Sequence, residues 1–168
     1  MYSHSNIVRY IFISVLVLSF SLLYGQTNEE AKNIQQLKRF YDEVVNKGKV
    51  DLFDELLSEN FIEHEELPTM AKGREGVKEF FKMYRGAFPD LKFTVNDMTA
   101  KGDKVWAYIT ITGTQKGPFM DMPASGKKIE IKGFDLLRFS NGKAVEHWGV
   151  TDTAAMMQQL GAMPAEHK

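Results

Sequence analysis

The chain contains no cysteine. That absence excludes disulfides, thiol nucleophiles, zinc–thiolate sites and iron–sulfur clusters together. It also lacks an excess of either charge: 21 Lys+Arg stand against 22 Asp+Glu, a formal net charge of −1. Tracking a phosphate backbone needs a basic excess, so no nucleic-acid partner is expected. No two histidines stand at ligand spacing, and the acidic run Glu63–Glu66 lacks the glycine of a calcium loop, so no metal is expected. No glycine-rich phosphate loop follows a strand pattern and no GxSxG elbow occurs. Nucleotide chemistry and serine hydrolysis therefore fail on residues, and no cofactor is expected.

Long hydrophobic runs are scarce as well. The one extended case, Tyr10–Tyr24, follows Arg9 and carries no charge, and charges resume at Glu29. A spanning helix takes about 20 apolar residues, so this run is short for one and has the layout of a signal peptide over residues 1–25. Gly25 suits a cleavage point, whereas Leu23 is large for its position there. Cleaved leader and retained N-terminal anchor both remain open. Either way the domain is expected to be exported, periplasmic or secreted, and to touch a membrane only through this segment.

What remains is one domain's worth of chain, 168 residues with 43% hydrophobic and 12% aromatic content, enough for a packed core without staples. Ile34, Leu37, Tyr41, Val44 and Val45 recur at helical spacing, and the pattern ends near Gly48. Asp51 is placed to cap a second short helix carrying Leu52, Phe53, Leu56 and Leu57. Phe61–Glu65 reads as extended, and a third helix runs from Gly73 to Phe88, carrying Val77, Phe80, Phe81 and Tyr84 on one stripe. After Pro89 the period drops to two. Strands are expected from Leu91, over Val105–Thr114, over Ile129–Phe139, and over Val145–Thr151 beyond the Asn141-Gly142 turn. Thr153–Leu160 closes as a helix stopped by Gly161, leaving 162–168 as a tail. Helices followed by antiparallel strands predict an α+β fold, a curved sheet over helices with a hollow that suits a small ligand.

The stretch DLFDELLSENFIEHEE and the run from FPDLKFTVNDM to the Glu146-His147-Trp148 segment, Asp152 and Gly161 resemble the SnoaL-like polyketide cyclase, or ester cyclase, family. The resemblance covers about Ala31 to Gly161. It implies a cone-shaped α+β barrel around a long N-terminal helix, with an internal pocket, as in ketosteroid isomerase, scytalone dehydratase and nuclear transport factor 2. Two positions depart from the family pattern: Gln115 stands where histidine is usual, and Asp121 where glycine is common.

The resemblance implies that Asp152 is the acid/base of an aldol-type ring closure or isomerisation on a small apolar or aromatic carbonyl compound. The residue would remove a proton next to the carbonyl and later return one. A second reading makes Asp152 the N-cap of the last helix. If Trp148 lines the cone, strand parity places Glu146 and Asp152 on its inner face too. His147, of opposite parity, then reads as a sheet-face or interface histidine. The resemblance places His64 at the open end of the cone, where it could polarise a carbonyl; a hydrogen-bonded surface histidine is the equal alternative. Trp106, Tyr108, Tyr84, Phe88 and Phe134 are candidate pocket aromatics, with Phe119 and Met120 in a loop suited to an apolar lid. Besides catalysis, the sequence allows a non-catalytic binding module and a homodimer formed through the sheet face. Export argues against a polyketide intermediate made inside the cell.

Overall fold

The structure, a computed structural model, describes residues 28–65 and 71–163. Helix α1 covers 28–39 and continues as a π-helical turn, Phe40–Val45. Leu37, Phe40, Tyr41, Val44 and Val45 form its buried stripe, the face marked by the apolar spacing. The wider turn ends where Gly48, at φ +71°, takes up a conformation that costs glycine little. A 3-10 turn, Val50–Leu52, leads into α2, Phe53–Leu56. The expected cap from Asp51 does not form: Lys49 precedes the turn and no side chain caps it.

Strand β1 is Leu57–Glu63, longer than the extended piece expected around it. Helix α3, Gly73–Ala87, buries Val77, Tyr84 and Ala87. Then come β2, Lys92–Lys101; β3, Lys104–Thr114; β4, Lys128–Ser140; and β5, Lys143–Thr151. Helix α4 is Thr153–Leu160. Asn141 and Gly142 both have positive φ, 52° and 76°, as a tight hairpin of right-handed twist requires. The sheet order is β1-β5-β4-β3-β2. Four strands form the expected antiparallel meander, and β1 joins its edge in parallel with β5. The sheet is therefore mixed, curled over α1 and α3 in the α+β cone arrangement.

Alternation decides which side chains meet the helices. Val105, Ala107, Ile109 and Ile111 of β3 are buried with Ile129, Ile131, Leu137 and Phe139 of β4. Between sheet and helices, Phe40 packs edge-on against Phe53 at 5.6 Å and Phe81 at 5.5 Å, a favoured aromatic geometry. Asn46 finishes α1 by bonding β2: its Nδ2 donates to Phe93 O at 3.0 Å and its Oδ1 accepts from Phe93 N at 2.7 Å.

Two sequence features that carry the resemblance meet in space. Asp90, just after α3, accepts from Thr114 N and Thr114 Oγ1, both at 2.7 Å. Lys116 N and Gly117 N both donate to Ala87 O. Gly113 lies against the Phe88 ring, where a Cβ would come within 3.1 Å. The turn after α3 and the start of the β3–β4 loop thus form one clasp. The Thr114 hydrogen bonds, backbone first and then hydroxyl, hold the Asp90 carboxyl below its ordinary pKa. That contribution is present above the ordinary carboxylate pKa and fades as pH falls through the lowered value. Asp90→Ala should cost roughly 1–2 kcal/mol in urea unfolding at neutral pH. The gap from wild type should close on acidification, and Thr114→Val should add little to Asp90→Ala.

Candidate functional site

A cavity of about 260 Å³ opens between the concave sheet face and the helices. Leu37, Phe40, Val77, Phe80, Phe81, Ile109, Ile111 and Leu137 make most of its wall, with Met156 of α4 closing one side. Its polar groups are few: Tyr41, Glu63, Glu65, Tyr84, Asp135, His147, Thr151 and Thr153. An apolar hollow with a handful of converging polar groups is the usual form of a small-molecule site.

Three of those groups form a buried ion cluster. His147 Nδ1 lies 2.8 Å from Glu63 Oε1 and 2.9 Å from Oε2. Its Nε2 lies 3.4 Å from Asp135 Oδ1. Tyr41 Oη donates to Asp135 Oδ2 at 2.5 Å. Side-chain exposure is 16% for His147, 11% for Glu63 and 12% for Asp135, so all three charges face little water. Burial alone would push the imidazolium pKa down. Hydrogen bonds to Asp135 and Glu63, with the charges of both, outweigh it and raise the value to about 10. His147 is therefore a cation at neutral pH, with both N–H groups directed at carboxylates. Tyr41 is held protonated: burial, then the Asp135 charge and hydrogen bond, raise its pKa well above the usual phenol value.

Glu65 differs from its two acidic neighbours: the residue is exposed, at the mouth of the cavity it helps to line. Its backbone N–H donates to Glu63 Oε1 at 3.0 Å, but its carboxylate has no hydrogen-bond or ion-pair partner among the described residues. Partial burial raises its pKa; His147 pulls it back, and the charges of Glu63 and Asp135 push it up again. Among the described residues, no group of three or more His, Asp or Glu side chains is arranged to hold a metal ion.

The structure sorts the candidates named from sequence into two sets. Tyr84, Phe119 and Met120 line the cavity; Phe119 stacks on Tyr84 at 5.2 Å, and exposed Met120, at φ 51°, sits at the loop tip. Phe88 lies behind that wall, fully buried against Phe119 at 5.5 Å. Trp106, Tyr108, Phe134, Glu146, Trp148 and His64 lie outside the cavity lining, on the outer sheet face. The parity expected for the last strand is reversed. His147 pairs with inward Leu137, while Trp148 pairs with Leu136 and Glu146 with Arg138. On that outer face His64 stacks on Trp148 at 4.6 Å and meets Glu146 Oε1 at 2.9 Å. Arg138 Nε donates to the other Glu146 oxygen at 2.7 Å. Those bonds, His64 first, hold the Glu146 carboxyl below its usual range.

Asp152 is exposed and caps α4, its Oδ1 accepting from Ala155 N at 2.9 Å. It is outside the lining, whereas its neighbours Thr151 and Thr153 are within it. Gln115 is buried in the loop, where its Nε2 donates to Pro123 O at 3.2 Å and its Oε1 accepts from Ser125 Oγ at 2.6 Å. Its role there is to brace the loop. Asp121 is exposed at the same loop.

The fold and cavity together define a small-molecule-binding α+β cone. The chain belongs to the SnoaL-like polyketide cyclase family, whose family model matches residues 35–160. Among solved structures it is similar to TsrD from Streptomyces laurentii, at 28% identity and TM-score 0.73, covering 79% of this chain and 97% of that one. A candidate SnoaL-like polyketide cyclase from Jannaschia sp. CCS1 is 29% identical at TM-score 0.72, covering 80% of this chain and 95% of that one. A candidate polyketide cyclase from Bacillus cereus is 30% identical at TM-score 0.68, covering 79% and 82% respectively. A comparison with curated proteins finds no significant match.

Removing the buried cation leaves two carboxylates facing each other with little water, a change that costs about 3–5 kcal/mol in buried pairs. His147→Gln should lose about that much unfolding free energy at neutral pH. Because the folded pKa is raised from 6.5 to about 10, the histidine's contribution is complete below the lower value and disappears as pH rises through the upper one. Urea titrations across that range should show the wild type losing stability in a step that the variant lacks.

Proposed function

We propose that this protein binds a small, largely apolar carbonyl compound in the cone and catalyses proton transfer next to the carbonyl, leading to cyclisation or isomerisation without a cofactor. The observation that carries the reading is the His147 imidazolium at the polar end of an otherwise apolar cavity. Removing a proton beside a carbonyl places negative charge on its oxygen, and an oxygen nearer the imidazolium than its two carboxylates meets the positive end of a fixed dipole that favours that change. Both carboxylates that hold His147 are present before any ligand arrives, so the field is preorganised. The family supports a cyclase-like or isomerase-like reaction class, and the apolar cavity wall favours a small, mainly apolar substrate.

Export is part of the proposal and rests on the uncharged run after Arg9, which lies outside the described residues. An exported enzyme would meet ketones from its surroundings rather than intermediates tethered to an intracellular synthase. A simple bicyclic ketone, 2-tetralone, has the size class, apolar character and acidic α-hydrogens that the cavity calls for. It should shift the ring resonances of Tyr84 and Phe119 in protein NMR. Val77→Phe, which fills the apolar wall, should weaken that binding by about tenfold, the equivalent of ~1.4 kcal/mol, and leave the fold intact.

The proposal also includes a homodimer through the outer sheet face. What supports it is two cross-strand rows, Tyr108–Phe134–Val150 and Trp106–Leu136–Trp148. Val150 is 71% exposed, Phe134 60% and Trp106 40%. Contiguous exposed apolar surface of this kind marks an association site, and a two-fold dimer needs only one self-complementary patch. Sedimentation equilibrium should give twice the chain mass for the wild type. The Phe134→Lys, Val150→Lys double variant should sediment as a monomer.

A further inference from the structure

Position 149 of β5 points into the cone between His147 and Thr151, both of which line the cavity, yet it carries no side chain. A Cβ there would lie 2.5 Å from Glu65 Oε2, 3.0 Å from Glu65 Cδ and 2.9 Å from His147 Cε1. The space a side chain would occupy is filled by the Glu65 carboxylate, brought across from the end of β1. The chain direction explains how it arrives: Glu63 pairs with His147 and His64 N donates to His147 O at 3.0 Å. Glu65, two residues past Glu63, thus continues along β5 to the level of Gly149.

We propose that Glu65 is the group that takes up and returns the proton in this cavity, and that Gly149 is the positioning residue that gives its carboxylate a seat. The assignment rests on the reading of the cavity as a carbonyl site. The competing acids in the lining are committed: Glu63 holds His147 Nδ1, and Asp135 is shared between His147 Nε2 and Tyr41 Oη. Protonating either would break up the buried ion cluster. Glu65 lines the same cavity, and its carboxylate has no hydrogen-bond partner to give up among the described residues. The groups facing it are His147 from β5, Glu63 from β1 and Asp135 from β4. Partial burial and the two anions keep its proton affinity above that of a free carboxylate, which brings a base closer to neutral working pH.

The step balances without a further reactant. The Glu65 carboxylate bonds to the α-hydrogen as a proton, and the C–H electron pair becomes the C=C bond of the enolate. The carbonyl π pair moves onto oxygen, in the field of the His147 imidazolium. The neutral Glu65 carboxyl then returns a proton to carbon, or exchanges it with solvent first.

The test is the exchange of the α-hydrogens of 2-tetralone for deuterium in D2O, followed by NMR with the full chain. Wild type should exceed buffer. Glu65→Gln should lose about 100-fold of the protein-dependent rate while holding 2-tetralone within about threefold of wild-type affinity, and Glu65→Asp should restore part of the rate. Gly149→Ala should act like Glu65→Gln by pushing the carboxylate out, and the double variant should lose no more than either single one. The His147 ring nitrogens, followed by NMR in each variant, should stay protonated at neutral pH as in the wild type, which a general loss of structure would not allow. An unchanged rate in Glu65→Gln, or a rate abolished by Asp152→Asn instead, overturns the assignment. So does binding of 2-tetralone with no exchange above buffer, which leaves a binding module. Failure of 2-tetralone to bind at all overturns the carbonyl-site reading itself, together with the assignment built on it.

Discussion

The His147 imidazolium stands at the centre of a charge cluster that ties the sheet to the first helix. Its two nitrogens reach Glu63 on β1 and Asp135 on β4 from a position on β5, and Tyr41 ties α1 to Asp135. Four elements therefore share one charge cluster. Charges buried to this extent are tolerated only as a set, because each left alone would face the full cost of desolvation. The cluster also accounts for the parallel placement of β1. That strand adds to the edge of a four-stranded meander where Glu63 can complete the coordination of His147. A slip of one residue would turn Glu63 outward and bring Ile62 or His64 in.

The two faces of the sheet divide the aromatic residues by what each face needs. Inside, β3 offers only Val, Ala and Ile, all buried. Many of the large rings inside come from the helices and the β3–β4 loop, where several meet as edge-on pairs, and Phe61, Phe93 and Phe139 add to them from the other strands. The rings left over, Trp106, Tyr108, Phe134 and Trp148, fall on the outer side and stack there in pairs and rows. Tryptophan is thus no guide to the pocket in this chain. The cavity gains its shape from Phe and Tyr of the helices together with apolar residues of the inner sheet face, and its buried ion cluster from the strands.

Most elements were legible in the sequence because their periods are clean. The α3 stripe of Val77, Phe80, Phe81 and Tyr84, the Asn141-Gly142 turn and the Thr153–Leu160 helix sit where spacing puts them. The parallel pairing of β1 was not, since nothing local in Leu57–Glu63 encodes a partner so far along the chain. The site was harder for a related reason. Choosing a face for β5 by its largest residue selected Trp148, and the choice carried Glu146 and Asp152 with it. The register shift between Arg138 and Phe139 makes strand-end parity a poor guide: Ala144 is buried against Phe139, yet Glu146, of the same number parity, pairs outward with Arg138. One signal did exist. In β4 the positions Ile129, Ile131, Gly133, Leu137 and Phe139 mark the inner face, and Asp135 is the single charge among them. A lone carboxylate on an apolar strand face requires a buried partner, and His147 is the inward cation of the neighbouring strand.

The charge count of the cavity narrows what can enter it. Glu63, Asp135 and the imidazolium together leave one net negative charge before Glu65 is considered, and Tyr41 stays neutral. A ligand bearing its own carboxylate would meet that excess in a medium that screens poorly, whereas a neutral ketone meets only the local dipole from anion to cation. The apolar wall adds nothing to offset a second anion. Negative charge becomes acceptable only once it develops on the ligand, when the proton removed neutralises a carboxylate in the same step. The net charge of the site then does not change, and only its position moves toward the imidazolium. That conservation of charge is the strongest physical reason to place base and cation at one cavity. A carboxylate committed to capping α4, outside the cavity lining, would separate them.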